Sequence, residues 1–439
     1  MTSSNRFQSL KSGFQPSFWV ANIMELFERL AYYGQATILS LFLRDHLNFS
    51  ESEAGQLSSI FGGLIYMLPA FAGALADKYG FKKAFSFAFF VLAIGYFLIG
   101  STGMEAFSGF YSGFDLYWVL TLILIFTAFG GSFIKPSVLG TVALTSTPET
   151  KSLGYAIYYW LVNIGGAIGP LLAFVVRDSF GIEFVYVVSA VSCALMFIST
   201  RIFFKEPVAK LEEQKQKLSD VIMNLFKVLV NFRFISLLLI FGLYWILFWQ
   251  FFIIIPFYIA DYISLDSPIE LIVSTGAWTI MLFQIPVNRL TKNITTPNAI
   301  IIGFIFATLT WLIWYLVLPN IQGVTFNPFG IRIDLSLFVI VFGIFLFSVG
   351  EQTQAPRFYE FIAELAPKGQ LALFQGYSFL PVAIAWGFGG TIGGWLYQLY
   401  GFGGTNNPSI IFLFFTGVGV LTVILMFIYN WYIKRSNKV

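Results

Sequence analysis

The chain has 439 residues, 57% hydrophobic and 11% charged, which is more apolar surface than a water-soluble core of this length hides. A formal net charge of +3, scattered over separate loops without forming a stripe, excludes a nucleic-acid partner. The single Cys193 and the single His46 leave no disulfide framework, thiolate metal site or redox pair, so no cofactor is expected.

Apolar runs recur along the chain, each close to the ~20 residues that a helix needs to cross roughly 30 Å of hydrocarbon. They are too long and too continuous for barrel strands, so the spanning segments are helices. Spans are expected at 17–43, 54–76, 81–100, 117–142, 152–176, 183–204, 232–260, 269–289, 297–318, 334–362, 370–398 and 408–433. That makes an all-α integral membrane protein of twelve transmembrane helices. The first sixteen residues are polar and no small-residue cleavage pattern closes the first apolar run, so the first helix is expected to remain as an anchor. His46, near the outer end of that helix, reads as a surface residue.

The only long polar connection, KEPVAKLEEQKQKLSD and its surroundings, reads as a solvated amphipathic helix. It divides the chain into an N-terminal six-helix bundle, 1–204, a cytoplasmic linker, 205–231, and a C-terminal six-helix bundle, 232–439. Even-numbered connections and both termini hold most of the basic residues, Lys78, Lys82, Lys83, Lys151, Arg201 and Lys205 among them, whereas the opposite loops hold Arg44, Arg177 and Arg332. Loops rich in Lys and Arg stay in the cytoplasm, so both termini are expected there. The compact loops and the absence of organelle targeting suit a multi-pass protein of a bacterial inner (plasma) membrane.

The halves echo one another. GGSFIKPSV at 130–138 has a counterpart in GEQTQAPRF at 350–358, and GGAIGP at 165–170 in GGTIGG at 389–394. Internal repetition of this kind marks a pseudo-symmetric transporter scaffold, although each glycine cluster taken singly also reads as a site of close helix packing.

Ionisable side chains at membrane depth are costly and are functional-site candidates by default. The first span carries Glu25, Glu28 and Arg29, the fourth Lys135 and the tenth Glu351. Spacings of three and four put Glu25, Glu28, Arg29 and Tyr32 on one helical face, where Arg29 neutralises one carboxylate and leaves another to bind a proton. Lys135 can hold a carboxylate from Glu25, Glu28, Glu351 or a bound solute. The competing reading is a buried ion network that only locks the first and fourth helices together.

GALADKYGFKK at 73–83 combines turn glycines with Asp77 at a helix end and the basic Lys82 and Lys83, a set able to latch helices on the cytoplasmic face. An ordinary basic loop is the alternative. The segment resembles the signature loop of the major facilitator superfamily, which implies two pseudo-symmetric six-helix bundles that rock to give alternating access. MELFERLAYYG resembles more narrowly the E-x-x-E-R-F-x-Y-Y-G signature of the proton-dependent oligopeptide transporters, with Leu30 in place of the usual Phe. GGSFIKP, YYWLVNIGG and GEQTQAP followed by ELAP resemble segments of the same family.

That resemblance implies proton coupling by Glu25, Glu28, Arg29 and Lys135, and a gate formed by Glu351 with the latch residues Asp77, Lys82 and Lys83. It implies a substrate site of Tyr32, Tyr33, Lys135, Asn163, Trp245, Gln250 and Glu351, with Tyr377 as a further member. Two departures stand out. The family's arginine two positions after the motif glycine is Ala36 here, and the seventh-span segment YWILFWQ offers Phe248 and Trp249 where a glutamate partner is usual. Losing both members of that carboxylate clamp leaves neither charge buried alone, and it argues against ordinary di- and tripeptides. Most aromatics of that span are expected to face lipid or neighbouring helices.

The sequence therefore points to a monomeric proton-coupled symporter of small peptides or peptide-like solutes, with protons, solute and the bilayer as its partners. An exporter or carrier of a more hydrophobic, lipid-like solute on the same scaffold is the first alternative. A non-transporting receptor or membrane enzyme is the second, and no nucleophile-base, paired-carboxylate or metal constellation supports the enzyme.

Overall fold

The computed structural model describes residues 13–147, 150–207, 231–327, 333–365 and 377–436. The chain is an all-helical membrane protein; among the described residues the only strands are the two-residue pair β1 (Thr325–Phe326) and β2 (Ile333–Asp334). The first span is α1 (Pro16–Ala36) with a short continuation through Leu39–His46, and the second is α2 (Glu51–Met67) with α3 (Pro69–Tyr79). The third is α4 (Phe81–Ser101), the fourth α5 (Leu116–Gly131) with α6 (Ile134–Thr145), the fifth α7 (Lys151–Phe180) and the sixth α8 (Ile182–Phe203). The seventh is α9 (Phe232–Trp249) with α10 (Ile254–Tyr262), followed by α11 (Ile269–Thr291), α12 (Thr296–Val317), α13 (Leu335–Leu365), α14 (Leu380–Tyr400) and α15 (Ser409–Ser436). The expected linker helix and the start of the eleventh span fall largely outside the described residues.

Among the described residues ten helical paths are long and apolar enough to cross a bilayer, and α2 with α3 forms an eleventh, bent by 48°. The first span differs because Glu25, Glu28 and Arg29 load α1 with charge. Each interruption has a local cause. Pro69 opens α3 and has no backbone N–H to continue the hydrogen-bond ladder of α2. Gly130, Gly131 and Pro136 bracket the junction of α5 and α6, where the backbone tightens into a Phe133 N–H to Gly130 carbonyl bond. Ser50 and Glu53 cap each other's backbone N–H groups before α2, and Asp115 and Asn231 cap α5 and α9.

The chain falls into two compact units, Met1–Ala36 with Leu64–Val221, and Thr37–Gly63 with Ile222–Val439. In the first unit α1 packs on α7, α8 and α6, and α4 packs on α5 and α8. Backbones approach closely where α1 crosses α7: a Cβ on Gly169 would lie 2.6 Å from the Leu30 carbonyl oxygen, and one on Gly34 3.1 Å from that of Gly169. The GGAIGP segment thus works as a packing seam.

In the second unit α12 packs on α13 and α15, α11 on α13, and α9 on α14 and α15. Trp311 and Trp314 are fully buried at its centre, with the Trp314 indole N–H donating to the Val339 carbonyl at 3.1 Å. The Thr37–Gly63 segment joins this unit through glycine contacts. A Cβ on Gly390 would come within 2.6 Å of the Gly55 carbonyl oxygen, and the Thr391 N–H donates to Ser59 Oγ at 2.8 Å.

Candidate functional site

In the first unit, one face of α1 carries the charged cluster. Glu25 and Glu28 are fully buried and Arg29 nearly so. The Arg29 guanidinium donates to the Glu28 carboxylate, and its Nε lies 3.4 Å from Glu25 Oε1. The same guanidinium sits 4.7 Å from the Tyr32 ring centroid and 6.0 Å from that of Tyr33, so two aromatic faces and two carboxylates share one cation. Neither Glu25 oxygen has a well-aligned hydrogen-bond partner among the described residues.

Lys135 stands at the first turn of α6, placed there by the break at Gly130–Phe133. Its Nζ lies 4.5 Å from the Tyr66 ring centroid, and it acts electrostatically on Glu25. Arg29, Tyr32, Tyr66 and Lys135 line a cavity of about 10 Å³, room for one water molecule. On α7, Tyr158 lies beside Glu25, and Gly165 supplies the room that the Arg29 side chain occupies. Asn163 is half-buried on the same helix and donates from Nδ2 to the Tyr159 carbonyl at 2.8 Å. The four coupling candidates are thus brought together, with Tyr32 and Tyr33 around them. Tyr66 and Tyr158 join them without having been singled out. Tyr158 opens the quoted YYWLVNIGG run, whereas nothing local distinguishes Tyr66 from the other aromatics.

At the loop between α3 and α4, Asp77 and Lys83 are exposed and Lys82 turns back to its own unit, with Nζ donating to the Arg201 carbonyl at 3.1 Å. The residue that clasps this loop is Glu206, which sequence reading missed. Its carboxylate oxygens accept the backbone N–H groups of Phe81 and Lys82, each at 2.7 Å, satisfying two orphan donors at the start of α4. Gly80, at φ +93°, would bring a Cβ within 3.2 Å of that carboxylate.

In the second unit Trp245 and Glu351 are half-buried on α9 and α13. Gln250 is fully buried, and its Nε2 donates to the Gly389 carbonyl at 3.0 Å and the Ile246 carbonyl at 3.1 Å, tying α9 to α14. Tyr377 packs beside Phe234, ring centroids 6.1 Å apart. Phe234 precedes Trp245 by three helical turns, about 16 Å along α9, so Tyr377 does not join Trp245. Phe248 is enclosed by Trp245, Trp249 and Phe251 at 4.9 to 5.7 Å; Tyr244, Trp249, Phe251 and Phe252 are buried inside the unit and do not face lipid.

Sequence reading noted Arg44 only for its charge. The guanidinium makes a bidentate pair with Asp261, NH1 to Oδ2 at 2.9 Å and NH2 to Oδ1 at 3.0 Å. It also contacts Asp45 at 2.5 Å and covers the Phe257 ring at 4.4 Å, while Tyr397 Oη donates to Asp261 at 2.8 Å. Among the described residues no group of three or more His, Cys, Asp or Glu side chains is arranged to hold a metal ion.

Charged side chains buried among long apolar helices with broken spans define an integral membrane protein with a buried polar site. The chain belongs to the Major Facilitator Superfamily, whose family model matches residues 22–325. It is similar to dipeptide and tripeptide permease A of Pectobacterium carotovorum, 29% identical over 199 residues, which are 45% of this chain and 36% of that one. It is also similar to dipeptide and tripeptide permease B of Shigella dysenteriae, 28% identical over 172 residues, 38% of this chain and 33% of that one. The chain thus spans about a third of the length of the curated relatives it matches. A crystallised peptide transporter POT in complex with sulfate superposes with TM-score 0.73 and 19% identity, covering 95% of this chain and 94% of that one. The nucleoside transporter NupG superposes equally well, with TM-score 0.74, 15% identity and coverage of 94% and 99%. The fold is therefore that of the superfamily, and it does not by itself choose a solute.

Proposed function

We propose that the chain is a proton-coupled symporter of small peptides or peptide-like solutes, a divergent relative of the proton-dependent oligopeptide transporters that works by alternating access. The observation that carries this reading is the buried Glu25–Arg29–Glu28 network with Lys135 across a cavity the size of one water. The similarity to dipeptide and tripeptide permeases adds the solute class. Arg29 is committed to Glu28, which leaves Glu25 as the carboxylate to take the proton. Protonated, Glu25 releases its hold on Lys135, which turns to a solute carboxylate, biasing the carrier between its two openings.

Tyr32, Tyr33, Asn163 and Trp245 are the further solute contacts in this reading. Ala36 is buried and Phe248 lies among aromatics, so Lys135 is the cation left for a solute carboxylate. The same two positions favour the second reading, a more hydrophobic or exported solute. The moving bodies are 1–204 and 232–439 joined by 205–231, in a bacterial inner membrane with both termini cytoplasmic, as a monomer driven by the proton gradient without a cofactor.

Uptake of a labelled di- and tripeptide mixture into proteoliposomes tests the reading. Uptake that follows an inward proton gradient and is lost in Glu25→Gln supports it. Proton-driven movement of another solute with no peptide uptake retires the peptide assignment, and undiminished gradient-driven uptake by Glu25→Gln removes the coupling role.

A further inference from the structure

One face of α9 carries Phe241, Tyr244 and Phe248, and one face of α13 carries Phe347, Glu351, Gln354 and Phe358, at the spacings of three and four that align helical neighbours. Two aromatic rungs fix how these faces meet. Phe241 stacks on Phe358 at 4.0 Å, while Tyr244 and Phe248 lie 5.2 and 6.0 Å from Phe347. The helices run antiparallel, and Glu351 and Gln354 fall between the rungs, opposite Tyr244. Phe304 of α12 closes the third side, 5.0 Å from the rings of both Phe241 and Tyr244. Gly303 makes room for Gln354, whose Cβ occupies space 2.6 Å from where a glycine-to-alanine methyl would sit.

Three polar side chains are thus enclosed by phenyl rings. Tyr244 is fully buried and Gln354 is 1% exposed. Tyr244 Oη, both ends of the Gln354 amide and Glu351 Oε2 have no well-aligned hydrogen-bond partner among the described residues. Leaving each unsatisfied is costly, and the groups at hand are complementary. The phenol has one O–H to give, the amide offers an acceptor and two donors, and the carboxylate accepts. Tyr244 Oη lies beside the Gln354 amide and within the field of the Glu351 carboxylate. The donor and acceptor types allow a chain in which the Tyr244 O–H donates to Gln354 Oε1 and Gln354 Nε2–H, three residues along the same helix face, donates to Glu351 Oε2. Glu351 itself is half-buried, so it joins this enclosed cluster to more open space.

We propose that Tyr244 and Gln354 are positioning residues for Glu351: they hold its inner carboxylate oxygen in the interface of α9 and α13 until a cation of the solute or the carrier draws it away. The inference rests on the reading of Glu351 as a gate residue. It adds that the readiness of Glu351 to engage is set by two neutral side chains on its protein side.

The test is a double-mutant cycle on the full chain, purified and reconstituted, with Tyr244→Phe, Glu351→Gln and the pair. Gln354→Met serves as a second, shape-conserving variant in case Tyr244→Phe folds poorly. Tyr244→Phe is expected to lower the maximal rate of gradient-driven dipeptide uptake about tenfold, one hydrogen bond's worth, with KM little changed. In the Glu351→Gln background the same substitution is expected to add nothing. Effects that multiply in the double variant, or a Tyr244→Phe rate equal to the parent's, overturn the proposal. If the parent moves no peptide at all, the solute reading has failed and the cycle is read on thermal unfolding without solute. There, non-additive midpoint shifts support the cluster and additive ones overturn it.

Discussion

Replacing Asp261 by Asn is expected to loosen the end of the second unit where Leu39–His46 meets α10. Arg44 makes two charge-assisted hydrogen bonds to Asp261, at 2.9 and 3.0 Å, and the two side chains are only 9% and 14% exposed. Hydrogen bonds to charged groups contribute about 1.5–3 kcal/mol each, and Asn keeps one acceptor for Arg44 or Tyr397 while losing the charge. Asp45 stays as a second carboxylate, which limits the penalty of a stranded guanidinium. A net loss of about 2 kcal/mol follows, or about a 30-fold rise in the population of the locally opened form. Hydrogen exchange reads this directly, because amides in cooperatively opening segments exchange in proportion to that population. Amides in 39–46 and 254–262 are expected to exchange about 30-fold faster in Asp261→Asn. Asp45 is 27% exposed, and Asp45→Asn is expected to cost less than about 1 kcal/mol. Unchanged exchange in Asp261→Asn, or an equal change in both variants, would refute the assignment of the closing energy to the Arg44–Asp261 pair.

Gly390→Ala puts a methyl 2.6 Å from both the Gly55 carbonyl oxygen and Ser59 Oγ, and overpacking of this kind costs about 1–3 kcal/mol. A lowered unfolding midpoint is expected, whereas Gly417→Ala, with nothing within 4 Å, is expected to leave it unchanged; equal midpoints for the two would contradict the seam. Glu206→Gln keeps one acceptor for the two N–H groups at the start of α4 and is expected to cost about 1 kcal/mol of thermal stability. A variant as stable as the parent at low salt would show that the carboxylate is not the cap.

The site was legible where its chemistry is local to one helix. Glu25, Glu28, Arg29 and Tyr32 share a face because their spacing matches the helical repeat, and the structure keeps them together. Lys135 was legible because an ionisable side chain inside an apolar span stands out by itself. Gln250 and Tyr377 show the limit. The same residue type at the same position can serve as a solute contact or a tie between helices, and the structure spends the Gln250 amide on the Gly389 carbonyl and sets Tyr377 against Phe234.

The amino-acid sequence by itself determined the solvent, the twelve apolar segments and the charged face of α1, since hydropathy, backbone satisfaction in lipid and helical spacing act between near neighbours. Tertiary structure alone decided which partner each isolated charge takes. Arg44 finds Asp261 at a separation of 217 residues, Glu206 finds the start of α4 at 125, and Gly55 meets Gly390 because neither has a side chain to keep the backbones apart. A lone charge or glycine has no periodicity that would announce a distant partner, and only packing brings the two within reach.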